Sequence, residues 1–179
     1  MDWTQIAEIV TAVGTWAVAG CTFWLVKGHL STAKDERKIE LYLELRKEFE
    51  SEPLLSHREQ FAGQLLDKKK HDEMTPGVLN FFEDLGMLLR RRYLDREIVW
   101  ETFGHFAKMW WSSCRDYVTA ERANMGGDTL FFGGFEYLVD QIYKVDVEKR
   151  KKKRTELEPS QSQQEYFLKT EARRPAKAA

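Results

Sequence analysis

The stretch from Thr75 to Asp95, TPGVLNFFEDLGMLLRRRYLD, constrains the fold more than any other part of this chain. Thr75 is a favourable N-cap residue, and Pro76 suits the first helical position. On a period of about 3.6 residues, one broad face of the predicted helix is apolar. Its members are Val78, Leu79, Phe81, Phe82, Leu85, Gly86, Leu88 and Leu89. We predict that this face is buried and that another element approaches it closely at Gly86.

Four further segments have helical periodicity, whereas none alternates convincingly with the two-residue period of a strand. They are Ile39–Phe49, the segment from Pro53 to Lys70, the segment from Asp95 (an N-cap) to Arg122, and Phe135–Val147. We therefore predict an all-α bundle of four to five helices in residues 31–150. The row of Trp100, Phe103, Phe106, Trp110 and Trp111 is predicted as core, with a cofactor- or lipid-binding wall as the alternative. Trp111 lies at the edge of this face and is the best candidate for an exposed partner contact.

The segment from Ile9 to Val26 has eighteen residues and no charge. As a helix it would be about 27 Å long, close to the ~30 Å hydrocarbon core of a bilayer. Acidic residues precede it and basic residues follow, so the positive-inside rule places the N-terminus outside. We predict a single-pass anchor in residues 1–30, in the inner (plasma) membrane, with the C-terminal domain in the cytoplasm. Its predicted membrane-spanning residues include Ile9, Gly14, Trp16, Cys21, Trp24 and Val26.

Three other interpretations of this segment remain open. A cleaved secretory signal requires a basic start, but this one is acidic. The Val18–Cys21 sequence resembles a lipoprotein cleavage box, which would make Cys21 a lipidated N-terminus. A buried helix of a soluble protein is the third. Small residues around Gly14 recur on one face, which suggests a homo-oligomer formed through the transmembrane helix.

Charge is unevenly distributed along the chain. From Lys149 to the end there are ten Lys and Arg against four Asp and Glu, whereas the preceding residues have 18 against 25. Six consecutive basic residues begin this region: Lys149, Arg150, Lys151, Lys152, Lys153 and Arg154. We predict that they contact anionic lipid, with a plain solvated segment as the alternative. The acidic body and the lack of spaced aromatic residues argue against nucleic acid. Residues 151–179 are predicted to be a disordered basic tail.

Recognisable catalytic and metal-binding motifs are absent from the sequence. There is no HExxH, no CxxC, no phosphate loop and no nucleophile elbow, so we predict no cofactor and no metal. Glu83 and Asp84 are weak candidates for functional carboxylates, and His105 could join them in an enzyme. Glu83 is expected to be solvated or salt-bridged, and Asp84 to pair with Arg58 or Arg115. Two cysteines do not form a disulfide framework.

The order of several blocks resembles a known family. An uncharged N-terminal span is followed by LYLELRKEFES, by VLNFFEDLGMLLRRRYLDREIVWETFG and by FEYLVDQIY. This order resembles that of small prokaryotic proteins grouped only as a domain of unknown function. The resemblance covers Ile39 to Tyr143, and the FFEDLG block from Phe81 to Gly86 is its most specific part. It implies a membrane-anchored helical domain without an established activity, and it supplies no catalytic residue.

These observations favour a non-enzymatic interaction module, tethered to the membrane, that acts as adaptor, sensor or effector. Membrane lipid and another protein are its predicted partners. Two alternatives remain: an enzyme that uses carboxylates at a helix–helix seam, and a self-assembling membrane effector.

Overall fold

The computed structural model describes residues 36–69 and 74–173, and every regular element in these ranges is a helix. The helices are α1 (residues 36–49), α2 (Glu52–Leu66), α3 (Gly77–Arg90), α4 (Arg96–Asn124), α5 (Gly133–Arg150), α6 (Arg154–Leu157) and α7 (Gln161–Glu171). The chain divides after Leu41. Before this point the structure describes residues 36–41, which begin α1; the packing below lies within the second part. The prediction of an all-α fold is confirmed for the described residues.

Helix α3 lies at the centre of the bundle, as the sequence predicts. All residues of its predicted apolar face are buried except Leu88, which is half-buried. Its closest neighbour is α5, and the two backbones meet where Gly86 faces Gly134. The helix begins at Gly77, one residue later than predicted, because the Thr75 amide and hydroxyl both donate to Oε1 of Gln64, at 3.0 and 3.3 Å. Thr75 therefore makes a tertiary contact instead of capping the helix.

Helix α4 is the longest described element and supplies more buried aromatic residues than any other described helix. Asp95 caps it as predicted, because one carboxylate oxygen accepts from the Glu97 amide at 2.8 Å. Trp110 is completely buried and stacks on Phe61. The prediction that Trp111 is an exposed partner contact is wrong, since its ring packs edge-on against Phe135 and only 6% of the residue is exposed.

The prediction of a membrane-spanning helix needs correction. Between residues 36 and 69 and between 74 and 173, no helix is both long enough and apolar enough to cross a membrane. The longest, α4, is amphipathic and exposes charged side chains such as Glu101 and Arg115. This finding contradicts the single-pass anchor and the inner-membrane location with a cytoplasmic C-terminal domain. The residues that carry that prediction lie outside the described part of the chain: Ile9, Gly14, Trp16, Cys21, Trp24 and Val26.

The prediction of a disordered basic tail is also wrong for residues 151–173, the part of the tail that the structure describes. Residues 154–157 and 161–171 form α6 and α7, and α7 packs against α2 and α4. A capping box starts α7, in which Ser160 accepts from the Gln163 amide while the Gln163 side chain accepts from the Ser160 amide. This motif satisfies orphan amides at the helix start. Phe167, Leu168 and Glu171 are buried.

Candidate functional site

Glu83, the first candidate carboxylate, is part of the α3–α5 interface. One of its oxygens accepts from the Gly134 amide at 2.9 Å, and the other accepts from the Phe135 amide at 2.7 Å. These amides lie in the first turn of α5, where the N-cap residue Phe132 has a left-handed conformation (φ 54°) and its own side chain makes no capping hydrogen bond. A carboxylate at a helix N-terminus satisfies unpaired amides and interacts favourably with the helix dipole. Glu83 therefore caps a helix that belongs to another part of the sequence.

Replacing Glu83 with alanine should lower the free energy of unfolding by about 1–2 kcal/mol, the cost of losing a helix cap. Urea denaturation of the full chain measures this loss. Asp84→Ala is the matched control, because this neighbouring carboxylate is exposed and its loss should cost less than about 0.5 kcal/mol. Equal losses for the two variants would contradict a capping role for Glu83.

The candidate residues of the enzyme hypothesis have different neighbours. Asp84 is exposed, and its predicted partner Arg58 is buried elsewhere, against the C-terminal helix. The ring of His105 packs against Phe106 and Phe167. Burial lowers the pKa of His105, and the charge of Lys108 lowers it further. In the described ranges, no three His, Cys, Asp or Glu side chains gather so that they could hold a metal ion.

A buried ion pair joins α2 to α7. Arg58 of α2 and Glu171 of α7 are each only 1% exposed. Nε of Arg58 donates to one Glu171 oxygen at 2.7 Å, and Nη2 donates to the other at 3.0 Å. This bidentate geometry matches the planar guanidinium to the carboxylate and is stronger than a single contact. The third nitrogen of the guanidinium, Nη1, donates to the Phe49 carbonyl at 3.2 Å.

Aromatic rings surround this ion pair. The guanidinium carbon of Arg58 lies 4.2 Å from the centroid of the Phe49 ring and 5.2 Å from that of Phe106. From α7, Phe167 packs edge-on against Trp110, with the ring centroids 5.2 Å apart. We call the surface that receives α7 the C-terminal groove. Its residues are Phe49, Arg58, Phe106 and Trp110.

The C-terminal groove is incomplete without a carboxylate. A buried charge is tolerated only when it is paired, since its desolvation costs several kcal/mol. The fold holds the guanidinium of Arg58 beside the rings of Phe49 and Phe106, and Glu171 is the anion that neutralises it. The contact of α7 with this groove therefore combines one neutralised buried charge with apolar packing.

The six basic residues that were predicted to contact lipid fall into two groups in the structure, three in ion pairs and three in an exposed connection. Lys149 pairs with Glu97 and Glu101, Arg150 pairs with Asp146, and Arg154 pairs with Asp140. Lys151, Lys152 and Lys153, which connect α5 to α6, are exposed. Lipid contact by this run stays a prediction.

A comparison with known protein families identifies the family of this chain. The sequence model described as "Domain of unknown function (DUF4760)" matches residues 24–142. The chain therefore belongs to this family, as its resemblance to a domain of unknown function implies. No curated protein matches the chain, and no solved structure does. The C-terminal groove lies inside the matched region, whereas α7 lies outside it.

Proposed function

We propose that this member of a family of unknown function is an interaction module that binds an amphipathic helix in its C-terminal groove. In the closed form, its own α7 is the occupant. The buried pair of Arg58 and Glu171 is the observation that supports this proposal. It couples a charge inside the domain to a segment that lies beyond the family match.

The contacts of α7 define the kind of helix that fits. Phe167 and Leu168 contribute the apolar contact, and Glu171 follows Phe167 by four residues on the same side of the helix. Spacing of this type is typical of helices that bind in grooves. The expected partner carries an aromatic residue, a neighbouring aliphatic residue and a carboxylate in the same arrangement. Lysine or arginine in place of the carboxylate would place like charges together, which disfavours binding.

We infer that the connection between α5 and α7 lets α7 leave the groove and return. Residues 151–160 are almost entirely exposed, and the only helix among them is the four-residue α6. A short tether gives α7 an effective concentration in the ~mM range at the groove. An external helix must therefore compete with α7, so only a tightly binding or locally concentrated partner displaces it. The module would bind a partner only above a threshold concentration of that partner, which the affinity of α7 for the groove sets.

A peptide of residues 160–173 tests this function in trans. We expect the labelled peptide to bind the full chain weakly, because α7 already occupies the groove. Binding should be at least about tenfold tighter to a Phe167→Ala/Glu171→Ala chain, whose own helix is weakened; a factor of ten corresponds to about 1.4 kcal/mol. Fluorescence anisotropy gives both affinities.

Two matched peptides control for non-specific binding. One carries glutamine in place of Glu171, and the other carries glutamine in place of Glu165, which pairs with Lys169 on the exposed side of α7. The first peptide should lose most of its affinity and the second should retain it. The proposal fails if the weakened chain does not bind the peptide, or if the two substitutions have equal effects.

A further inference from the structure

A strained turn joins α5 to the C-terminal segment that carries α7. The residues between α5 and α6 are Lys151, Lys152 and Lys153, all of them exposed, and we call them the hinge. Lys151 follows α5 in a left-handed conformation (φ 55°, ψ 33°), which is unfavourable for a residue that has a Cβ. Glycine would adopt this conformation without strain, but the hinge contains none. Contacts outside the hinge must therefore hold this turn in place.

Contacts between α6 and α5 keep the chain reversed at the hinge. Nη1 of Arg154 lies 2.6 Å from a carboxylate oxygen of Asp140, and the guanidinium carbon of Arg154 lies 4.6 Å from the centroid of the Tyr143 ring. These contacts fold α6 back along α5, whereas α7 packs against α2 and α4. On one continuous helix, residues 140 and 154 would lie about 21 Å apart. The reversed chain and a continuous helix are therefore mutually exclusive.

The sequence of the hinge nevertheless favours a helix. Every residue from Lys149 to Glu158 except Thr155 is Lys, Arg, Glu or Leu, and all four are good helix formers. Pro159 is the first residue after the hinge that ends a helix. If the hinge became helical, α5 and α6 would form a single helix that ends at Glu158. That helix would carry α7 away from the groove of its own chain, because Arg154 would leave Asp140.

Positive charge at the hinge opposes the continuous helix and makes it sensitive to salt. On that helix Arg150 would lie three and four residues from Lys153 and Arg154, the spacings at which like charges repel each other. In the reversed chain Arg154 is paired instead with Asp140, and both side chains are 45% exposed. Salt screens the repulsion and also weakens this exposed pair. Higher ionic strength should therefore shift the balance towards the continuous helix.

We propose that two copies of this chain exchange α7, so that each C-terminal groove binds the α7 of the other copy. In this dimer the hinge would be helical, and Glu171 of one copy would neutralise Arg58 of the other. The contacts of α7 with the groove would be kept while the strained turn at Lys151 would be lost, so the hinge decides between the two forms. Because the tether gives α7 an effective concentration in the ~mM range at its own groove, exchange requires a high protein concentration. This inference rests on the proposed function, since it names the occupant of the same groove.

Deletion of residues 151–153 from the full chain tests the exchange most directly. Without the hinge, α5 continues into α6, and α7 reaches only the groove of another copy. Sedimentation velocity should show that the natural chain dimerises at high protein concentration, and more strongly at high salt, whereas the deletion variant is a dimer even in dilute solution. Adding Phe167→Ala/Glu171→Ala to the deletion should abolish its dimer, because these substitutions remove the side chains that fill the groove.

Glycine substitutions test the strained turn without shortening the chain. Lys151→Gly relieves the strain of the reversed chain and also disfavours the continuous helix. We expect a factor of about ten at each hinge, and because the dimer contains two hinges its dissociation constant should rise about 100-fold. Arg92→Gly is the matched control, since Arg92 is also left-handed (φ 62°) but lies in the connection between α3 and α4. It should leave the dissociation constant unchanged.

The outcomes distinguish a failure of this inference from a failure of the proposed function. The exchange is overturned if the folded deletion variant stays monomeric, or if its dimer survives Phe167→Ala/Glu171→Ala, because another surface then joins the copies. Should the deletion unfold the chain, equal dissociation constants for Lys151→Gly and Arg92→Gly overturn it. If the peptide of residues 160–173 binds the weakened chain while the deletion variant is monomeric, the groove still binds helices and only the exchange is refuted.

Discussion

Gly86→Ala is expected to lower the free energy of unfolding by at least about 3 kcal/mol, the upper end of the cost of overpacking a core. A Cβ at this position would lie 1.9 Å from the Gly134 carbonyl oxygen and 2.4 Å from its carbonyl carbon. Both atoms belong to the backbone of α5, so no side-chain rotation relieves the overlap. The two helices would have to separate, which would also disturb the Glu83 cap and the stacking of Phe82 on Phe135.

Gly63→Ala is the matched control for this prediction. Gly63 also lies inside a helix, α2, but a Cβ there would meet nothing within 4 Å. Alanine at an unobstructed helical position gains up to about 1 kcal/mol of stability over glycine. The urea concentration at the midpoint of unfolding should thus fall for Gly86→Ala and rise for Gly63→Ala. A small loss for Gly86→Ala, below about 1 kcal/mol, would show that α3 and α5 are not in backbone contact at this point.

Local periodicity explains why the α3 face could be predicted from the sequence. The apolar spacing on α3 specifies a buried face, and a glycine within that face predicts a close approach without naming the partner. Asp95 is likewise a local signal, because a cap acts within its own helix. Glu83 falls on the polar arc of α3 by the same reasoning, yet it caps α5 from 51 residues away. Periodicity describes one helix and cannot show that contact.

The tail shows how composition alone can mislead. Residues 151–179 are polar and contain few apolar residues, which is typical of disorder. The capping box from Ser160 to Gln163 followed by Phe167 and Leu168 is nevertheless a local helix signal. What the sequence could not reveal is the partner of Glu171, since Arg58 is 113 residues away. A lone carboxylate in a polar segment becomes a specific contact only after the fold has buried the guanidinium.

Glu171→Ala is expected to cost about 3–5 kcal/mol, the usual effect of removing one member of a buried ion pair. The loss of stability has an upper limit, because Arg58 can regain water if α7 leaves the groove. The variant will therefore keep α7 docked or release it, whichever costs less free energy. We therefore expect the variant to undock α7, while α3, α4 and α5 remain packed. Hydrogen exchange should show faster exchange in residues 161–171, by a factor of about 100 or more, and little change in α3.

The control and the double variant separate charge from packing. Glu165→Gln removes an exposed carboxylate of the same helix and should leave the exchange of α7 unchanged.

Arg58→Met/Glu171→Leu replaces the pair with apolar side chains, a change that is often neutral or stabilising at buried sites. If α7 is protected in this double variant but not in Glu171→Ala, α7 is released because Arg58 has lost its neutralising carboxylate. The packing of α7 in the groove then does not require the ion pair itself. In that case the ion pair serves mainly to select the occupant, because an apolar groove would accept any amphipathic helix, whereas Arg58 accepts only one with a carboxylate. Full protection of α7 in Glu171→Ala alone would contradict this account, since it would mean that Arg58 is stable in the groove without an anion.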